Sequence, residues 1–170
     1  MPFTVKEGLR KIITGIILVA IAAMLTLFIK ENLDVKDPEA ALPTLTVTVD
    51  DMILAPSMVF RAGYEWNFWA TVERNTPVYS PKDILGQVYP VDIAPRSVMA
   101  LDFTLKCKSL QVSRADDEPD HSHYIQLQDV DPHNIITPAT PGKYLYKVEA
   151  GFGWRGSVIY YLMVNVKENP

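Results

Sequence analysis

The chain has 170 residues, 48% of them hydrophobic and 21% charged, with a formal net charge of -4. That composition suits one modest domain plus a membrane segment, and no run of Lys/Arg interleaved with aromatics points to nucleic acid. The single cysteine, Cys107, excludes an internal disulfide framework and is expected as a buried thiol within a strand.

Residues 1–11 form a short basic N-terminus carrying Lys6, Arg10 and Lys11 against one acid, Glu7. Ile12 to Ile29 follows without a charge. As a helix these residues span roughly 27 Å at ~1.5 Å each, close to the hydrocarbon thickness of a bilayer. Residues 12–29 are therefore expected to be a transmembrane helix, and Gly15 with Ala20, Ala22 and Ala23 gives it a small-residue face. A secretory signal peptide is the rival reading, since Ala20-Ile21-Ala22 resembles a small-x-small cleavage site. Apolar residues running on to Phe28 and Ile29 favour an uncleaved anchor. The flanking charges place the N-terminus in the cytoplasm and the rest of the chain outside the cell membrane, as a single-pass protein.

Residues 30–43 are polar, contain Pro38 and Pro43, and read as a linker. Residues 44–168 alternate with period two. Thr44 to Val49 reads as a half-buried strand, and Tyr64, Trp66, Phe68, Ala70 and Val72 share one side of a second, with Trp69 on the other. Met99, Leu101, Phe103 and Leu105 mark a third running into Cys107, and Leu110 and Val112 continue after a change of phase. Tyr144, Tyr146 and Val148 lead through a loop with Gly151, Gly153 and Gly156 into the apolar run Val158 to Val166. Short strands with proline-rich turns argue for an all-β sandwich or Greek-key barrel, with Ala115–His123 and Asp129–Pro141 as irregular insertions.

The stretch Thr140 to Ile159, TPGKYLYKVEAGFGWRGSVI, resembles the last hairpin of a cupredoxin, and most closely that of subunit II of the haem-copper oxidases. That family carries a Pro-Gly-x-Tyr lead-in and then Cys-x-Glu-x-Cys-Gly-x-x-His-x-x-Met, which holds the dinuclear CuA centre. Pro141, Gly142, Tyr144 and Gly153 keep the frame. The ligand positions fall on Val148, Ala150, Phe152, Gly156 and Ile159. Gly63-Tyr64-Glu65-Trp66-Asn67-Phe68-Trp69 is similar to the family's aromatic Gly-x-Gln-Trp-x-Trp strand, and Pro90 to Val112 to its strand pair, which puts Lys108 at the remaining histidine ligand. Copper needs soft thiolates and imidazoles, which these six residues do not supply; Phe152 is expected to fill the vacated volume.

The resemblance implies a cupredoxin-like fold without CuA. It also implies a structural role as subunit II of a respiratory quinol oxidase, similar to the aa3-type enzymes of thermoacidophilic archaea. Haem and CuB would then lie in the partner core subunit I, other membrane subunits would accompany it, and quinol would be the substrate of the complex. This chain would hold no cofactor or catalytic residue of its own. Trp66 and Trp69 are candidate subunit contacts. The alternative is a membrane-anchored cupredoxin-like binding protein, either a copper carrier or an oxidase assembly factor. His121, His123 and His133 with Asp116, Asp117 and Asp120 form a weaker candidate metal set. No Ser/His/Asp or Cys/His triad and no phosphate-cradling glycine loop stands out.

Overall fold

Alternating burial along short strands builds the larger part of the chain. The structure, a computed structural model, describes residues 5–68, 71–77, 79–116 and 123–168. It divides into two units: Met1–Ala41 with Phe68–Thr71, and Leu42–Asn67 with Val72–Pro170.

In the first unit, helix α1 (Val5–Lys36) is followed by the single turn α2 (Pro38–Ala41). Within α1, Glu7–Asn32 is long and apolar enough to cross a membrane. Large apolar side chains are exposed along the described length of this span, as in Leu18, Val19 and Met24. The helix is longer than the expected 12–29, and the expected linker is largely helical. Lys30, Glu31 and Leu33 favour helix, so nothing stops it at the end of the apolar run. Pro38 disfavours helical backbone at Asp37 and ends it there.

Among the described residues of the second unit, eleven strands form two sheets. In chain order they are β1 (Leu45–Val49), β2 (Met52–Ile53), β3 (Val59–Asn67), β4 (Val72–Asn75), β5 (Pro90–Ile93), β6 (Val98–Phe103), β7 (Ser109–Ala115), β8 (Ile125–Gln126), β9 (Ile135–Ile136), β10 (Gly142–Gly151) and β11 (Gly156–Val166). One sheet has the order β2-β1-β6-β9 and the other β4-β3-β11-β10-β7-β8, with β5 also on β11. Pairing is antiparallel except between β5 and β11. Leu45, Val47, Val49, Met99 and Leu101 of the first sheet are buried, as are Tyr146, Val148, Tyr160, Leu162 and Val112 of the second. Phe103 reaches across to Tyr160, ring centroids 6.0 Å apart.

A third layer covers the opposite face of the larger sheet. Leu145, Tyr161 and Met163 point away from the sandwich and pack with Ala62, Ile84, Val88 and Ala115. The helical turn α3 (Pro81–Ile84) holds this layer in place: Asp83 accepts hydrogen bonds from the Ser80 amide and hydroxyl, both at 2.8 Å. Those bonds hold the Asp83 carboxyl below the usual carboxylate range. Ser80-Pro81 opens this helical turn. Serine at the cap, proline at the first helical position and an acid three residues after the cap together spell a helix start.

Two strand expectations change. Tyr64 to Val72 is not one strand: β3 ends at Asn67 and turns back into β4, with Asn67 opposite Val72. Alternation of apolar residues persists through the turn, so period two alone does not reveal it. The strand expected to run into Cys107 ends at Phe103, and Cys107 lies half-buried in the connection to β7.

Ile84 is fully buried at the centre of the outer layer. Ile84→Ala is predicted to destabilise the fold by about 2–5 kcal/mol, the range for deleting a buried aliphatic side chain. Denaturant unfolding of the detergent-solubilised chain, followed by tyrosine and tryptophan fluorescence, measures it.

Candidate functional site

The strand registers gather several loops at one end of the sandwich. Leu45 pairs with Phe103, Gly151 with both Ser109 and Ser157, and Gly156 with Trp66. The 104–108 and 152–155 connections therefore lie at the end where the chain enters β1. Reciprocal bonds tie that point to the first connection: Thr44 N donates to Thr104 Oγ1 at 2.9 Å, and Thr104 N to Thr44 O at 3.1 Å. Lys108 N donates to Gly151 O at 2.8 Å, joining the two loops.

The 152–155 loop is a short helical turn closed by Phe152 N donating to Gly156 O at 2.7 Å. Gly156 has φ 118°, and a Cβ there would collide with the Glu65 carbonyl. Gly153 also has positive φ, at 69°. Gly151 serves differently: its φ is ordinary, and glycine leaves room for the Ser109 hydroxyl. The lead-in is fixed by Tyr144 Oη donating to Thr140 O at 2.9 Å.

Phe152 turns inward. It is buried and stands edge-on to Trp66 at 5.7 Å and to Phe103 at 5.8 Å between ring centroids. Val148 and Ala150 are buried on the same interior face of β10, while Ile159 pairs with Glu149 and belongs to the opposite face. The Lys108 side chain runs past Gly153. The six positions matched to copper ligands thus do not converge: Lys108, Phe152 and Gly156 cluster at the loop, Val148 and Ala150 lie deeper, and Ile159 lies across the sheet. Trp66, expected as a candidate subunit contact, is only 3% exposed and belongs to the core. Its alternation with Tyr64 marked a buried face, and Phe152 completes its cover. Trp69 lies outside the described residues.

Beside this loop a cleft of about 410 Å³ is lined by Leu101, Phe103, Leu105, Leu110 and Pro132, with Lys106, Cys107, Lys108, Asp102 and His133 at its polar side. The Cys107 Sγ faces the carbonyls of Ser109 at 3.0 Å and Gly151 at 3.7 Å. Burial pushes the thiol pKa up, with those hydrogen bonds opposing the shift only in part. A nucleophilic cysteine needs the reverse. The His133 Nδ1 lies 3.7 Å from Asp102, so the cleft carries a cysteine, a histidine and a carboxylate without an activated thiolate. Periodicity gave no hint of it, because its lining joins the ends of β6 and β7 to the connections at 104–108 and around Pro132.

The candidate histidine–aspartate metal set is not assembled by the described residues. His121, Asp117 and Asp120 lie outside them. Asp116 is engaged by Arg114, whose Nη2 donates at 3.0 Å, and His133, on the connection before β9, faces Asp102 of β6. Among the described residues no three His, Cys, Asp or Glu side chains gather as a metal site.

No protein-family model, curated protein or solved structure matches this chain.

Two predictions follow from the packing of this end. Phe152→Ala is expected to cost about 3–5 kcal/mol in stability, the range for truncating a buried aromatic, measured by chemical unfolding. Alkylation of Cys107 by iodoacetamide is expected to rise with pH only above the range of a free thiol, near 8.5. Half-maximal reaction at or below that value would show a stabilised thiolate.

Proposed function

We propose that this chain is a membrane-anchored β-sandwich subunit that acts by contact and carries no redox centre. We identify its setting as a haem-copper quinol oxidase, in which it takes the place of subunit II. The sandwich is then a cupredoxin-like Greek key outside the cell membrane, with the N-terminus in the cytoplasm. The complex oxidises quinol, reduces oxygen to water and translocates protons, with haem and CuB in core subunit I. This chain caps that subunit on the outer face.

The observation that carries the reading is the wedge of Phe152 between Trp66 and Phe103. The loop matched to the copper-binding loop is closed over hydrocarbon, and glycines keep its backbone in shape. A packed aromatic there supplies rigidity without a ligand. Electrons from a membrane quinol enter a core subunit directly, so such a complex needs no copper relay in this domain.

The test is gentle detergent purification of the chain from native membranes, an optical spectrum and a quinol-dependent oxygen-uptake assay. Copurifying haem bands with quinol oxidation are the expected result. A colourless, solitary chain would sink the oxidase reading.

The apolar cleft beside Cys107 favours a second reading, a membrane-anchored binding module that takes a small ligand. Its volume and its apolar lining with a few polar groups fit small-molecule sites in general. Retention of a small organic molecule by the solitary chain, lost on Leu101→Trp, would favour it.

A further inference from the structure

We propose that the loop end of the sandwich docks on an anionic bilayer surface, with Leu105 and Trp154 entering the headgroup region and Lys106, Lys108 and Arg155 meeting lipid phosphates. The inference rests on α1 as a membrane anchor and is independent of the oxidase setting.

The first support is charge. The segments 104–108 and 152–155 read TLKCK and FGWR, with three cations and no acid, in a chain of net charge -4. Asp102 of β6 lines the cleft beside them, which still leaves this end an excess of positive charge. At the opposite end Asp50 and Asp51 in the β1–β2 turn are interspersed with Arg96 and Lys143. An anionic surface attracts the loop end.

The second support is the kind of side chain exposed there. Trp154 is 57% exposed and Leu105 42%. The Arg155 guanidinium lies 4.4 Å from the centre of the Trp154 ring. Val72, 60% exposed, lies alongside, since its partner Asn67 donates to Trp154 O at 3.4 Å. Tryptophan with neighbouring cations is the side-chain chemistry of the membrane–water interface. Lysines extend their apolar stems along that boundary while the ammonium stays wet.

The third support is the tether. Asn32, the end of the apolar span, and Leu42, the first residue of the sandwich unit, are ten residues apart. Even fully extended, that segment reaches only about 35 Å. It joins the sandwich at the end that carries the basic loops, because Thr44 is bonded to Thr104. Tethering makes docking intramolecular, so weak individual contacts suffice.

The experiment uses the full chain reconstituted into vesicles of phosphatidylcholine alone or with phosphatidylglycerol, with bromine near the top of the acyl chains. Comparison with Trp154→Phe isolates the Trp154 emission from that of the other tryptophans. Strong bromine quenching of Trp154 in phosphatidylglycerol vesicles and weak quenching in phosphatidylcholine is the expected result. Each cation near an anionic surface shifts the docked-to-free ratio about fivefold, so K106E/K108E, which removes two cations and adds two anions, should lower it by at least about 25-fold while the protein still floats with the vesicles. Flotation with Trp154 emission indifferent to lipid charge and to K106E/K108E would overturn docking and leave the anchor standing. Failure to float would overturn both. Shielding of Trp154 in native membranes but not in pure-lipid vesicles would assign this end to a protein partner and overturn the lipid proposal.

Discussion

The ladder between β10 and β11 is the constraint on which the other elements depend. It runs without interruption from Gly142 opposite Val166 to Gly151 opposite Ser157. β11 is also paired along its other edge, first by β3 and then by β5 from Met163 onward. Its backbone is thus engaged on both edges, and its side chains are buried on both faces. That is why Val158 to Val166 reads as an apolar run without clean alternation. A register irregularity between Ile159 and Tyr160 lets β3 follow the strand while Tyr160 enters the sandwich and Tyr161 the outer layer. Such an irregularity adds local twist and re-aims side chains.

The same strand fixes where the chain enters the domain. The buried Tyr160 hydroxyl donates to Pro43 O at 2.6 Å, and Arg61 Nη1 reaches that carbonyl at 3.4 Å. A buried phenol without a partner would carry a full desolvation penalty, so the bond secures the segment before β1 as well as satisfying the tyrosine. Burial keeps Tyr160 protonated far above the usual tyrosine range. Entrance, Thr44–Thr104 pair and the two basic loops are consequently parts of one rigid end, anchored to the central strand.

Much of this was legible in residue patterns. Leu45, Val47 and Val49 announced β1, Tyr144, Tyr146 and Val148 the inner face of β10, and the charge-free run before Lys30 the long helix. The fold class follows from these, because period two specifies half-buried strands wherever it is sustained. Reversal at Asn67–Val72 was not legible, since the apolar alternation of the sequence runs on from Tyr64 to Val72 without a break. The outer layer escaped notice because its parts are far apart in sequence. Ile84, Tyr124 and Leu145 meet only once β10 and β11 are paired. The cleft escaped for the same reason: Pro132 joins it through its carbonyl, which accepts from Leu101 N at 2.7 Å, a contact between two segments with no shared pattern.

The glycine-rich loop shows how one short segment can serve the core and the surface at once. Phe152 and Trp154 are two residues apart, yet one is enclosed by Trp66 and Phe103 and the other is open to solvent. On a continuing strand both would share a face. The helical turn begun at Gly153, with its positive φ, rotates them apart. The inward residue stiffens the loop, because an aromatic ring packed on two others leaves little room for movement. The outward residue then sits on a stiff support with Arg155 laid across it. A surface aromatic held in place loses little conformational freedom on binding, so its apolar area is available to whatever covers it. Phe152 packed inward and the Trp154–Arg155 pair turned outward give this loop an apolar inner side and an aromatic, cationic outer one.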